Sequence, residues 1–244
     1  MGLILNGNAP SKMLYNGAEV SLYFNGSKIW PETIDPYNPL NLPANTVRVR
    51  TYNGQPPSKG STTSYETATL VPGTTDIYDV YKSGTSFRSL LLDASNVIEV
   101  LGANTSNVTD MTFMFYYCDR LSSVSLFDTS SVTSMERMFL NCRSLTSVPL
   151  FNTSNVTTMY YMFGTCSSLT SVPLFNTSKV TQMGYMFNEC YNVSSGALAL
   201  YQQASTQANP PSSHTRTFYK CGRDTTTGAA ELAQIPSSWG GTMS

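Results

Sequence analysis

LTSVPLFNTSNVTTMYYMFGTC, Leu145–Cys166, is followed at once by SSLTSVPLFNTSKVTQMGYMFNEC, Ser167–Cys190, which repeats it with few changes. The cysteines at 118, 142, 166 and 190 stand 24 residues apart. The step also aligns Met111, Met135, Met159 and Met183, then Met114, Met138, Met162 and Met186, then Phe115, Phe139, Phe163 and Phe187. A strict period of this length is the signature of a stack in which each unit covers the apolar face of the next.

One unit has a physical reading. Leu145, Val148 and Leu150 follow an L-x-x-L-x-L spacing, and the last two share one face of a short strand. Asn152, Thr153 and Ser154 are turn and N-cap types. Val156, Met159, Met162, Phe163 and Cys166 then fall on one apolar stripe, which predicts a short helix. The expected fold class is an α/β repeat solenoid, leucine-rich-repeat-like, with four to five 24-residue units behind small all-β N-terminal modules. Its expected core includes Met135, Met138, Phe139, Cys142, Met159, Met162, Phe163 and Cys166. On the helical side neighbouring units would lie about 8–10 Å apart, too far for disulfides, so stacked, buried, free thiols are expected. A ladder with one cysteine per coil does not converge on a metal. The Asn-x-Ser/Thr triplets at Asn104, Asn107, Asn152, Asn155 and Asn176 read as repeated corner caps rather than glycan acceptors.

The flanks divide into segments. Residues 1–30 alternate apolar and polar around Asn16-Gly17 and Asn25-Gly26, the strongest short hairpin signal, and read as a β-meander that attaches the chain to a larger body. Residues 31–45 carry four prolines and read as a linker. Residues 46–86 hold strand-like runs (TVRVRTY, SYETATLV, DIYDVY) and read as a β-rich capping module. The repeats would occupy 87–221, with GALALYQQAS as a helix and Phe218–Cys221 restoring the tail of a unit; residues 222–244 would cap the end.

Composition narrows function. Of 244 residues only 12% are charged and the net charge is −1, so the clustered Lys and Arg of a nucleic-acid binder are missing. There is no long apolar run for a membrane span, and MGLILNGNAP lacks the basic and long apolar regions of a signal peptide. Asn6 breaks the myristoylation pattern. One histidine, His214, leaves little for triad or metal chemistry, and it reads as a surface loop residue. The expectation is a non-enzyme with no catalytic residues, cofactor or metal. The positions that vary between units include Tyr116, Tyr117, Tyr160, Tyr161 and Tyr185, which suit contact with sugar or protein. The flat serine face at Ser123, Ser125, Ser147 and Ser171 is the other candidate.

The unit TSNVTTMYYMFGTCSSLTSVPLF resembles the BspA-like leucine-rich repeat of bacterial surface proteins, M-x-x-M-F-x-x-C-x-x-L, over Phe87–Cys221. That resemblance implies a curved right-handed solenoid with strands on one face. The flanks DIYDVYKSGTSFRSLL, GALALYQQAS and GAAELAQIPSSWGG are similar to repeat proteins carried by phages of gut bacteria, and LYNGAEVSLYFNGSKIWP is similar to a small module of phage structural proteins. The resemblance implies a virion protein, assembled in the host cytoplasm, of fibre or decoration type. Implied partners are other virion proteins through residues 1–38, further copies of the chain (a trimer first), and a host surface glycan or protein. A purely structural spacer and a bacterial surface adhesin are the alternatives.

Overall fold

The computed structural model describes residues 41–60 and 62–241, with the backbone of two short strands, β1 (Tyr23–Phe24) and β2 (Ser27–Lys28). These pair antiparallel, Tyr23 with Lys28 and Phe24 with Ser27, on either side of Asn25-Gly26 in the sequence. The rest of the expected attachment module and most of the linker lie outside the described residues.

The described body begins with a five-stranded sheet in the order β4-β5-β3-β6-β7. Its strands are β3 (Thr46–Thr51), β4 (Thr67–Leu70), β5 (Ile77–Tyr81), β6 (Val97–Asn104) and β7 (Ser123–Val124). The alternation in TVRVRT places Val47 and Val49 inside, both 0% exposed, and turns Arg48 and Arg50 outward. Arg48 grips Asp79 on β5 with two bonds of 2.6 and 2.8 Å, and Arg50 reaches Glu99 on β6 at 2.9 Å. Strand β6 is the seam of the molecule. One edge runs antiparallel to β3, and the other runs parallel to β7, Val100 opposite Val124, one 24-residue step on. The β-rich segment and the first repeat unit therefore share one sheet.

Beyond the sheet the 24-residue units stack by backbone bonds. Parallel bridges run in series from Ser86 to Asp110, Ser134, Thr158, Gln182 and Ser213. Within each rung, every second N–H donates to the next rung: Met135 to Thr158, Arg137 to Tyr160, Phe139 to Met162 and Asn141 to Gly164, at 2.9–3.1 Å. The N–H groups between them close short turns, such as Met138 to Met135 at 3.2 Å and Cys142 to Phe139 at 3.0 Å. The expected short helix is thus replaced by consecutive tight turns. A helix would consume its own N–H groups, whereas this segment turns half of them to its neighbour. The geometry requires a left-handed residue twice per rung, at Phe113 and Tyr117, Arg137 and Asn141, Tyr161 and Thr165, and Tyr185 and Glu189, all with φ between 52° and 66°.

Helix-row spacing does not apply either, because directly bonded rungs sit at strand spacing, about 4.8 Å. The rings of Phe115, Phe139, Phe163 and Phe187 accordingly stack at 5.3, 5.4 and 5.2 Å, and Phe218 extends the spine at 6.0 Å. The five cysteines are buried and unbridged, but distance is not the reason. Cys118, Cys142, Cys166 and Cys190 each turn Sγ to the carbonyl 27 residues back, at 3.1 Å, rather than toward one another as a disulfide would need. Cys142 Sγ thus donates to Phe115 O, and Cys166 Sγ to Phe139 O. Met135, Met138, Phe139, Cys142, Met159, Met162, Phe163 and Cys166 are each 0% exposed.

The strand side differs from the sequence expectation. After β7 the described residues on that side carry an isolated bridge, Ser171 to Ser195, and single backbone bonds between units, such as Thr170 N to Thr146 O at 3.1 Å. Leu150 and Leu174 are 61% and 51% exposed, while their neighbours Phe151 and Phe175 are 2% and 0% exposed. Pro149 and Pro173, next to each leucine, have no N–H for a ladder. The chain rotates there, and the phenylalanine takes the inward place; Phe151 packs against Phe127 at 4.9 Å.

Hydroxyl ladders finish the corners. Thr129 Oγ1 donates to Asn152 O at 2.9 Å and Thr153 Oγ1 to Asn176 O at 2.8 Å, each one unit on. Asn152 Oδ1 and Asn176 Oδ1 accept from the N–H two residues later at 3.1 and 2.9 Å, closing Asx turns. Thr133, Thr157 and Thr181 donate their hydroxyls to the preceding unit at 3.1–3.2 Å. The chain is rich in Ser and Thr and poor in charge because its edges need short donors that repeat in register.

After Gly196, α1 (Ala197–Thr206) lies over the stack, with Leu200 and Ala204 buried. The last rung is restored 31 residues on, as Gln182 bridges Ser213 and Phe187 N donates to Thr217 O. Then α2 (Thr226–Leu232) and a 3₁₀ turn (Ser237–Trp239) close the end. Trp239 stacks on His214 at 4.3 Å and its carbonyl accepts from Phe218 N at 2.9 Å. His214 is half-buried under this tryptophan rather than a free surface residue.

Candidate functional site

The turns place the varying residue pairs of successive units side by side on one outer face. All five candidate tyrosines lie there, in two groups. Tyr160, Tyr161 and Tyr185 form the first. Tyr161 and Tyr185 stack at 4.5 Å with planes 7° apart, and Tyr160 stands edge-on to both, at 4.8 and 5.9 Å. Tyr116 and Tyr117 form the second, edge-to-face at 4.5 Å, with Phe113 against Tyr116 at 5.3 Å. Four of the five are half-buried, and Tyr117 is 43% exposed. Burial pushes the phenols of Tyr116 and Tyr161 above their ordinary value, so both are neutral donors near pH 7.

Arg137 joins the groups. Its guanidinium lies 5.3 Å from the Phe113 ring, 5.1 Å from Tyr160 and 5.8 Å from Tyr161, and its charge is shared with Glu136. Arg216 continues the row at the far end, 5.9 Å from Tyr185 and 5.1 Å from Tyr219, and Arg88 begins it, 5.1 Å from Phe113. Cations flank and interrupt the row of rings along the stacking axis, each contact being worth about 0.5–1 kcal/mol at such exposure.

Two glycines make room for the rings. A Cβ on Gly164 would lie 2.8 Å from both Tyr161 Cδ1 and Leu140 Cδ1, and one on Gly184 would lie 3.4 Å from the Tyr160 ring. Gly184 stands one 24-residue step from Tyr160 and Gly164 three residues after Tyr161 in the same rung, so the cluster is a packed unit rather than a set of unconstrained outward side chains.

A groove of about 400 Å³ opens beside Tyr117, lined also by Asp93, Ser95, Asp119 and Arg143. Reading by aromatic type finds the tyrosines but passes over Arg137, Arg216 and the groove. The 24-residue alignment carries the missing signal: Asp93 with Tyr117, and Asp119 with Arg143, are column neighbours. The serine face is simpler. Ser123 Oγ bonds Glu99 Oε1 at 3.3 Å, and Ser147 and Ser171 are exposed beside Leu150 and Leu174. Among the described residues no three His, Cys, Asp or Glu side chains are placed to hold a metal ion, and no helix is long and apolar enough to cross a membrane.

No curated protein and no solved structure matches the chain. The repeating 24-residue unit, with its bonded rungs and buried Met, Phe and Cys columns, falls within a family-model match over residues 77–199, half of the chain. By that match the chain belongs to the family described as Mycoplasma protein of unknown function, DUF285.

Proposed function

We propose that this chain is a structural protein of a phage particle, a fibre or decoration, whose stacked units display a face for adhesion to the host cell surface. In this reading the repeats form a leucine-rich-repeat solenoid of the BspA-like kind, and residues 1–38 join it to other virion proteins and to further copies of itself. The phage setting rests on the likeness of its flanking segments to phage-borne repeat proteins. The adhesive role rests on one observation: the Tyr160–Tyr161–Tyr185 cluster is packed over Gly164 and Gly184 and turned outward. Half-exposed rings cost solvation and gain nothing in a mere spacer, whereas tyrosine and arginine are the side chains that anchor interfaces.

The test is saturable binding of the labelled full-length chain to candidate host cells, beside a Tyr161→Ser, Tyr185→Ser double variant of unchanged fold. Saturable binding lost in the variant supports the reading. A monomer that binds no host, yet still attaches to particles through residues 1–38, favours the spacer instead.

A further inference from the structure

The groove beside Tyr117 has a composition that restricts its ligand. Asp93 and Asp119 offer carboxylates, which only accept hydrogen bonds, and Arg143 offers a guanidinium, which only donates. Ser95 does both, and Tyr117 supplies a ring that is 43% exposed. The ring is braced: Tyr116 meets it edge-to-face at 4.5 Å, and Phe113 backs Tyr116 at 5.3 Å. Its backbone is left-handed, φ 60°, in a column otherwise filled by Asp93, Asn141, Thr165, Glu189 and Lys220. That backbone costs an L-residue about 1–2 kcal/mol.

Each simple ligand class meets an obstacle there except one. An anion meets two carboxylates. A metal ion meets the guanidinium. An apolar ligand would strip water from three charged groups and give them no partner. A neutral polyol fits all the groups at once. Adjacent hydroxyls donate to the carboxylates, ring and hydroxyl oxygens accept from Arg143, and the apolar face of a pyranose covers the Tyr117 ring. A volume of about 400 Å³ lies within the range of small-molecule sites.

We propose that this groove is a neutral-saccharide subsite, with Tyr117 as platform, Asp93 and Asp119 as hydroxyl acceptors and Arg143 as donor. It rests on the adhesive reading: the sugar would be a residue of a host-surface glycan, gripped beside the tyrosine cluster rather than by it.

The test uses the full-length chain and ligand-observed NMR with glucose, galactose, mannose, N-acetylglucosamine, maltose and lactose. At least one of these sugars is expected to bind. Asp119→Asn and Arg143→Gln should each weaken that binding by about tenfold or more, because each removes a hydrogen bond to a charged group. Both side chains are exposed, so the melting temperature should stay unchanged, and these variants test the site even if Tyr117→Ala does not fold. The Tyr161→Ser, Tyr185→Ser variant should bind the sugar as the wild type does. No binding across the panel, or binding indifferent to Asp119→Asn and Arg143→Gln, overturns the subsite. Cell binding that persists in that case leaves the adhesive reading standing. Sugar binding without cell binding removes the adhesive reading and keeps the subsite.

Discussion

Leu150 and Phe151 are neighbours in the chain and opposites in the fold, which makes them a sharp test of the register. Phe151 is 2% exposed, with Phe127 at 4.9 Å and Phe139 at 6.3 Å. Truncation to Ala removes a buried ring and leaves a cavity among other rings that cannot collapse, a loss of about 3–5 kcal/mol. Leu150 is 61% exposed, so some 39% of it is covered. Full burial of a leucine is worth about 1.5–3 kcal/mol, so Leu150→Ala should cost about 1 kcal/mol or less. The assay is urea unfolding followed by far-UV circular dichroism. A stack of units can unfold in stages, so the comparison is of midpoints at an unchanged slope. Phe151→Ala should lower the midpoint several times more than Leu150→Ala. Equal losses, or a larger loss at Leu150, would restore the strand expected from the L-x-x-L-x-L spacing and refute the inward rotation after Pro149.

Three further outcomes are expected. Burial pushes the thiols of Cys118, Cys142, Cys166, Cys190 and Cys221 well above their ordinary range. The unfolded thiols ionise near pH 8.5 and the folded ones above it, so their stabilising contribution is complete below about pH 8.5 and falls above it by up to about 1.4 kcal/mol per thiol per pH unit. Urea midpoints across that range should show the fall, a chain with all five cysteines replaced by Ala should lack it, and iodoacetamide should label no thiol until the protein is unfolded. Thr153→Val keeps the shape but orphans Asn176 O, which accepts the hydroxyl at 2.8 Å, so stability should drop by about 1 kcal/mol, read by the same denaturation. Trp239→Ala uncovers the end of the phenylalanine spine, where Trp239 packs on His214 at 4.3 Å and Phe218 at 6.5 Å; a lowered melting temperature and new dye-accessible apolar surface should follow, and a silent variant would mean that the end is closed by other groups.

The conformation of the rungs shows where sequence stops being informative. Met159, Met162, Phe163 and Cys166 fall at offsets that suit one helical face, and the same offsets suit two consecutive turns, because both bring residues three apart together. The inward set is therefore legible whichever conformation is formed. What separates the two is the direction of the intervening N–H groups. Residues such as Arg137 and Tyr161 adopt a left-handed backbone that disfavours any L side chain, so propensity points away from it. The neighbouring rung supplies the missing term by accepting the bonds that a helix would have kept within itself. Leu150 is misread for a related reason. A period of two assumes a flat strand, and Pro149 ends it one residue early. The tyrosine face was legible one residue at a time and not as a unit, because Tyr161 meets Tyr185 and Arg137 only after the rungs close to strand spacing. The same closing brings Asp119 beside Asp93 and Tyr117, though they come from different columns of the alignment. In this fold the period writes the core along the chain, and the surface sites are written across it.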